Sequence, residues 1–397
     1  MSHIAMVSIP APGHVNPSLQ ILRALVDRGH RVTYANDPSF ADVIQRTGAE
    51  LKPYRSTLPG PDEEWVEDPI GQLTLFLDDS IAMLPQLRAR YADDRPDLFL
   101  YDIAGAPARL LGEQWGIPAI QLSPTFVAWD GYEAEMAQAV EAMRAEPRGA
   151  DYYRRFTTWL TENGSSVTDS LAFQGRPTRC LALIPRALQP NADRVDPAVH
   201  SFVGPVLGDR PDQGTWTRPA GVEKVLLVSL GSAFTRHADF YRRCVTAFGT
   251  LPGWHTVLQV GRHVDPAELG VVPDSVEVHT WVPQLAILEQ ADAFLTHAGM
   301  GGSSEGLYCG TPMIAVPQAA DQFANAERLA DLGVARVVDL ATVTADELRT
   351  ALLHLTTDAV VSARCADLRR QVRAESGTAR AVALIEAELS AAPLRTA

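Results

Sequence analysis

Two groups of residues in this sequence have the types and spacing to do chemistry. The first is His14 with Asp102. His14 follows the apolar run Ile4–Ile9, in the turn Pro12-Gly13-His14-Val15-Asn16-Pro17, and Asp102 follows the apolar run Leu98–Tyr101. If both runs are strands of one parallel sheet, both side chains sit at its carboxyl end and can meet. A histidine titrates near neutrality, so it can take a proton from an alcohol. A carboxylate on its other nitrogen fixes the tautomer and stabilises the imidazolium. Taken alone, each residue also reads as a helix cap.

The second group runs from Trp281 to Ala326, as WVPQ, THAGMGGSSEGLYCGTPMIAVPQ and DQFANA. His297-Ala298-Gly299 ends a strand, and Gly299, Gly301 and Gly302 let the backbone approach a ligand. Ser303 and Ser304 are expected to open a helix whose free N–H groups and dipole favour a phosphate. Glu305, in its first turn, can reach the vicinal hydroxyls of a ribose. Asp321 and Gln322 follow the strand around Ile314 and suit paired sugar hydroxyls. Trp281 offers a flat face to a base, with Val282 and Gln284 beside it. Singly, these signals are ordinary: a Trp next to a Pro is core material, and a glycine-rich strand–helix turn is common. Gly299-Met300-Gly301, with Asp321 further on, also superficially fits a dinucleotide fingerprint. Against that, Ser304 occupies the third glycine position and Asp321 follows a Pro-Gln strand end.

The elements that position these groups are legible as alternating strands and helices. Ile4–Ile9 is a strand. Asn16 and Pro17 are predicted to cap and open a helix carrying Leu19, Leu22, Leu25 and Val26, with Gly29 as its C-cap and Val32–Ala35 as the next strand. Strands follow at Leu98–Tyr101 and Ala119–Leu122, and Tyr132–Leu160 reads as helical. Gly204–Gly221, rich in Gly and Pro, is the linker. The pattern then restarts with Lys224–Leu230, ending in Gly231-Ser232, and continues through Thr256–Val260, Ser275–His279, Ala293–Thr296 and Met313–Ala315. Arg364–Leu389 is amphipathic and helical. The expected architecture is α/β, with two doubly wound Rossmann-like domains facing a cleft. Residues 1–210 form the first, 211–375 the second, and a C-terminal helix, 376–397, packs back on the first.

Composition narrows the partners. Lys and Arg number 34 against 48 Asp and Glu, a net charge of −14, which excludes the nucleic-acid backbone and anionic lipid as general partners. It does not bear on a small phosphorylated ligand held by backbone N–H groups. No apolar run approaches the ~20 residues of a membrane helix. The four cysteines, Cys180, Cys244, Cys309 and Cys365, are scattered, as expected of reduced cytoplasmic thiols.

Taken together, W-x-P-Q, H-x-G, the small-residue turn with Ser303 and Glu305, G-x-P-M and D-Q-x-x-N-A resemble the C-terminal signature of family 1-type nucleotide-sugar glycosyltransferases of the GT-B fold. Over essentially the whole chain, including GHVNP and SLGSAF, the sequence is similar to the actinomycete macrolide glycosyltransferases. The resemblance implies that His14 is the catalytic base and Asp102 its partner. It implies that Trp281 stacks on uracil, that Gln284 bonds near the base or ribose, and that Glu305 binds ribose. His297, Ser303 and the Gly301–Gly302 backbone would hold the pyrophosphate, with Ser232 close by, and Asp321 and Gln322 the hexose. The implied reaction uses a UDP-sugar as co-substrate and needs no metal or further cofactor. It inverts an α-donor to a β-O-glycoside on a hydrophobic alcohol, as the helix N-terminus and His297 neutralise the leaving diphosphate. A dTDP-deoxysugar transferase, a non-catalytic nucleotide-sugar-binding helper and a non-hydrolysing epimerase are the alternatives. In this family the N-terminal domain binds the acceptor, which points to Pro59–Pro69, Phe76, the stretch Pro124–Tyr132 with Phe126, Trp129 and Tyr132, and the aromatics around Phe156. The acids Asp62, Glu63, Glu64, Glu67 and Asp68 read as a solvated face that also attracts cationic acceptors.

Overall fold

The structure, a computed structural model, describes residues 1–60, 66, 68–208, 213–231 and 235–391. The chain divides into two compact units. The first comprises Met1–Ile184, Asn191–Leu207 and the chain from Ser376 onward, and the second Pro185–Pro190 and Gly208–Glu375.

The first unit is built on a parallel sheet of β1 (His3–Val7), β2 (Arg31–Asn36), β3 (Glu50–Pro53), β4 (Leu98–Asp102), β5 (Ala119–Ser123), β6 (Cys180–Ala182) and β7 (His200–Phe202), in the order β3-β2-β1-β4-β5-β6-β7. Its helices are α1 (Pro12–Asp27), α2 (Ala41–Gln45), α3 (Pro69–Tyr91), α4 (Ala106–Trp115), α5 (Tyr132–Ala145), α6 (Pro147–Glu162) and α7 (Ser170–Gly175). The second sheet contains β8 (Lys224–Ser229), β9 (Trp254–Gln259), β10 (Val276–His279), β11 (Ala293–Thr296), β12 (Met313–Ala315) and β13 (Ala335–Val337), in the order β10-β9-β8-β11-β12-β13. With it go α8 (Ala238–Phe248), α9 (Gln284–Leu288), α10 (Met300–Cys309), α11 (Gln322–Asp331), α12 (Ala345–Thr357) and α13 (Ala359–Ala374), and the final helix, α14 (Gly377–Ala391), belongs to the first unit.

Parallel strands covered on both faces are apolar almost throughout, because successive side chains point to opposite layers. Ile4, Met6 and Tyr34 pack with Val15, Leu22 and Leu25 of α1 and with Val382 and Ile385 of α14. Ala5, Val7 and Ala35 face the other way, onto Met83, Leu84 and Leu87 of α3 and onto α6. In each sheet the strand order reverses once: β1 lies between β2 and β4, and β8 between β9 and β11. Ligand crevices of doubly wound sheets open at the carboxyl ends of the strands flanking such a reversal.

Three expectations change in detail. Helix α1 begins at Pro12, with Ala11 extended before it, so Asn16 and Pro17 lie inside the helix and His14 in its first turn. Pro12 is suited to that start because the first helical residue has no intrahelical use for an N–H. The stretch Tyr132–Leu160 is two helices, parted where Pro147 opens α6 after an extended Glu146. The C-terminal stretch is likewise two helices, α13 and α14, with Ser376 between them in the left-handed region at φ 65°.

Candidate active site

In the first unit, β1 and β4 pair in register, Val7 beside Tyr101, so the first turn of α1 and the last residue of β4 emerge together. His14 Nδ1 lies 2.8 Å from Asp102 Oδ2. An ionised carboxylate only accepts, so Nδ1 carries the proton and Nε2 is the basic nitrogen. Asp102 is 1% exposed and its Oδ2 also accepts from Ala104 N–H at 3.1 Å. The His14 side chain keeps 24% of its surface, enough for a substrate to reach it. Below this turn the Tyr34 hydroxyl bonds both Ser8 Oγ (2.7 Å) and Ser18 Oγ (3.2 Å). Asn36 donates to the Ser8 carbonyl and hydroxyl. This buried polar network ties the segment before His14 to the helix after it.

The acceptor candidates separate. Trp129 and Tyr132 meet edge to face with centroids 4.9 Å apart. Trp129 donates through Nε1 to Glu135, which Arg194 also binds. Phe76 and Phe126 are half-buried in the same unit. The aromatics around Phe156 do not offer a ligand surface: Phe156 is 4% exposed and packs on Tyr152, Trp159 and Phe173. The i, i+4, i+7 spacing of Tyr152, Phe156 and Trp159 turns these three to the core, while Tyr153 is half-buried. Asp62, Glu63, Glu64 and Glu67 lie outside the described residues, whereas Asp68 caps α3 by accepting from Gly71 N–H and pairs with Arg148.

In the second unit, α10 begins earlier than the sequence implies. Gly299 is its N-cap and Met300 its first residue. Gly301 and Gly302 therefore form the first turn, and the N–H of Ser303 is already bonded to the Gly299 carbonyl. The free N–H groups facing an anion are those of the glycine turn itself. A Cβ on Gly301 would meet nothing within 4 Å, leaving that approach open. Ser303 Oγ is buried without a hydrogen-bond partner among the described residues. Glu305 falls in the second turn, 4% exposed, and accepts from Gln284 Nε2 at 2.7 Å. Trp281 is 55% exposed, so its face is available for stacking, while Val282 is buried behind it. Ser232 lies outside the described residues.

His297 follows β11. Desolvation pushes its pKa down to about 4, against the opposing charge of Asp321 and the Ser229 backbone. The ring is neutral at pH 7. It can hold a diphosphate as a hydrogen-bond donor. Asp321 is exposed at the start of α11, whereas Gln322 is buried and its Oε1 accepts from Gln318 N–H and Ala319 N–H. Its amide thus shapes the loop as well as the site.

One residue was quoted in a motif but given no role. Asn325, fully buried, donates from Nδ2 to the Ala298 carbonyl (3.0 Å) and to Asp321 Oδ2 (2.9 Å). Ala298 has φ 58°, unusual for a residue with a side chain, and Asn325 holds that turn while orienting Asp321.

Comparison with known proteins gives these arrangements a family. Residues 181–368 match the family described as UDP-glucoronosyl and UDP-glucosyl transferase. The chain is 57% identical over 394 residues to oleandomycin glycosyltransferase of Streptomyces antibioticus, covering 98% of this chain and 91% of that one. Among solved structures, the glycotransferase of kitacinnamycin superposes with a TM-score of 0.92 at 56% identity, over 98% of each chain. The calicheamicin glycosyltransferase CalG4 gives 0.87 at 31% identity, over 99% of this chain and 100% of the other. The chain belongs to the family 1 nucleotide-sugar glycosyltransferases of the GT-B fold, beside the actinomycete macrolide glycosyltransferases.

Proposed function

We propose that this glycosyltransferase moves a hexose, glucose in the first instance, from a UDP-sugar to a hydroxyl of a macrolide or similar hydrophobic natural product, forming a β-O-glycoside. The observation that carries the reading is the 2.8 Å contact of His14 with a buried Asp102 at the sheet reversal. His14 Nε2 takes the proton of the acceptor hydroxyl as its oxygen attacks the anomeric carbon. The bond from that carbon to the diphosphate oxygen breaks on the opposite face, and UDP departs. Asp102 stabilises the imidazolium without itself being protonated. The N–H groups opening α10, with His297 and Ser303, bind the departing diphosphate as dipoles and hydrogen-bond donors. Gln284 and Glu305, already joined, take the base edge and the ribose, with Trp281 stacked on the base. Asp321 and Gln322 take the hexose hydroxyls.

The similarity to oleandomycin glycosyltransferase supports a macrolide acceptor. The half-buried Trp129–Tyr132 pair supports an apolar acceptor surface. The four cysteines are free and buried, which supports a reducing, cytoplasmic setting. No helix among the described residues is long and apolar enough to cross a membrane.

The test is to incubate the protein with UDP-glucose and a panel of macrolides and flavonoids. The expected product is heavier by one hexose, with the anomeric coupling of a β-linkage. Consumption of a dTDP-deoxysugar in place of UDP-glucose would overturn the donor assignment, and an α-linked product the inverting mechanism.

A further inference from the structure

His297 is confined by two glycines from different strand ends. Gly231 follows β8 and Gly299 follows β11, the two strands that flank the reversal of the second sheet. A Cβ built on Gly299 would lie 2.4 Å from His297 Nε2 and 3.0 Å from its Cε1, and a Cβ on Gly231 would lie 2.7 Å from Cε1 and 2.9 Å from Nε2. At each glycine the nearest distance, 2.4 Å or 2.7 Å, is shorter than side-chain packing permits, so neither position tolerates even a methyl while the imidazole keeps its place. The two glycines differ in backbone. Gly231 has φ 80°, where glycine is favoured for itself. Gly299 has φ −62° and ψ 148°, which any residue adopts. The local chain does not require glycine at 299; the imidazole does.

Gly231 is held in turn. Its carbonyl accepts from Gln259 Nε2 at 3.0 Å and its N–H reaches Ser229 Oγ at 3.3 Å. Gly299 is the N-cap of α10. The ring is thus flanked by a tied loop and by the helix N-terminus, with Nε2 beside Gly299.

We propose that Gly231 and Gly299 are positioning residues that clamp the His297 imidazole, aiming Nε2 at the diphosphate bound at the start of α10. This rests on the donor-site reading above and adds a reason for the glycine at 299 beyond close approach of backbone to ligand. A ring held on both sides loses little rotational freedom on binding, so its hydrogen bond is preorganised. An added methyl at 299 swings the ring away from the diphosphate without straining the backbone.

The test is a double-mutant cycle read by calorimetric titration with UDP, accompanied by thermal melting. His297→Ala alone should weaken UDP binding about tenfold, the cost of one hydrogen bond to a charged group. Gly299→Ala alone should produce a similar loss with an unchanged melting temperature. Added to His297→Ala, Gly299→Ala should change binding by less than about twofold, because the methyl occupies space the ring has left. Steady-state transfer should show a raised KM for the nucleotide sugar and an unchanged KM for the acceptor. Gly299→Ala within about twofold of wild type, or an equal loss in both backgrounds, overturns the clamp. If His297→Ala itself binds UDP like wild type, the placement of His297 at the diphosphate fails instead. Gly231→Ala serves as the second probe: it should behave like Gly299→Ala in the cycle, but with a lowered melting temperature from its left-handed backbone.

Discussion

Each sheet reverses once, and each reversal carries a histidine, but the two rings live in different surroundings. His14 emerges beside β4, where a buried carboxylate accepts a hydrogen bond from its Nδ1–H and a quarter of the side chain faces solvent. His297 emerges beside β8, where its neighbours are glycine backbone and burial depresses its basicity. The same topology and the same residue type give a histidine paired with a buried carboxylate in one unit and a desolvated one beside glycines in the other. What differs is the balance: a contacting carboxylate favours the imidazolium at His14, whereas at His297 desolvation outweighs the opposing pull of Asp321 and the Ser229 backbone. The fold supplies the place, and the contacting residue decides the chemistry.

The largest effect should come from breaking the charged pair. His14→Ala is expected to lower kcat about 10³-fold, and Asp102→Asn about 10²-fold, with UDP affinity unchanged in both. Transfer rates by mass spectrometry and calorimetric titration with UDP would check this. A matching loss of UDP affinity would erase the division of labour between the two histidines. Next, Glu305→Ala removes the carboxylate that Gln284 already engages. It should raise the KM for the nucleotide sugar by ten- to a hundredfold, roughly the value of charged hydrogen bonds, and leave the acceptor KM alone.

Asn325→Ala sharpens the second unit further. It leaves the Ala298 carbonyl and Asp321 without their donor and should cost about 1–3 kcal/mol in chemical denaturation. On the proposed function the KM for the nucleotide sugar should rise several-fold, because the Ala298 turn and Asp321 share that amide. A comparable shift distinguishes the neutral histidine by pH. With a folded pKa near 4 against about 6.5 unfolded, the unfolded chain binds the extra proton as pH falls. His297 therefore costs stability progressively from about pH 6.5 down through pH 4, and none above that window. His297→Gln should flatten the wild-type loss of stability over that range. If both proteins lose stability in parallel, His297 is not the buried neutral base described. The smallest effect belongs to the acidic stretch of the sequence before α3. Neutralising Asp62, Glu63, Glu64 and Glu67 should raise KM for a cationic acceptor about two- to threefold at low salt and not at high salt. An unchanged KM removes that steering role.

Much of this was legible before the fold was known. His14 and Asp102 could be paired from apolar runs alone, since a parallel sheet brings the ends of its strands to one edge. The Trp281–Ala326 motif was legible as a set of types: glycines, an acid, an amide and an aromatic; that the aromatic is exposed was not. Helix starts were not. Pro12 and Pro17 both suit an opening turn, and only the extended Ala11 selects the first. Glu305 was placed a turn too shallow because Met300-Gly301-Gly302 has poor intrinsic helix propensity. The packed unit overrides that preference, as the bond from Ser303 N–H to the Gly299 carbonyl shows.

By itself the sequence determined the two βα-alternating halves and the side-chain types available to the site. These follow from side-chain type and from periodicity, which are local properties. The tertiary structure decided that His14 lies against a buried carboxylate while His297 lies between two glycines, and that Asn325 joins the Ala298 turn to Asp321. Each of those depends on contacts between residues far apart in the chain, such as Gly231 with His297 and Asn325 with Ala298. A residue's protonation state and steric room are properties of its neighbours, and only folding chooses the neighbours.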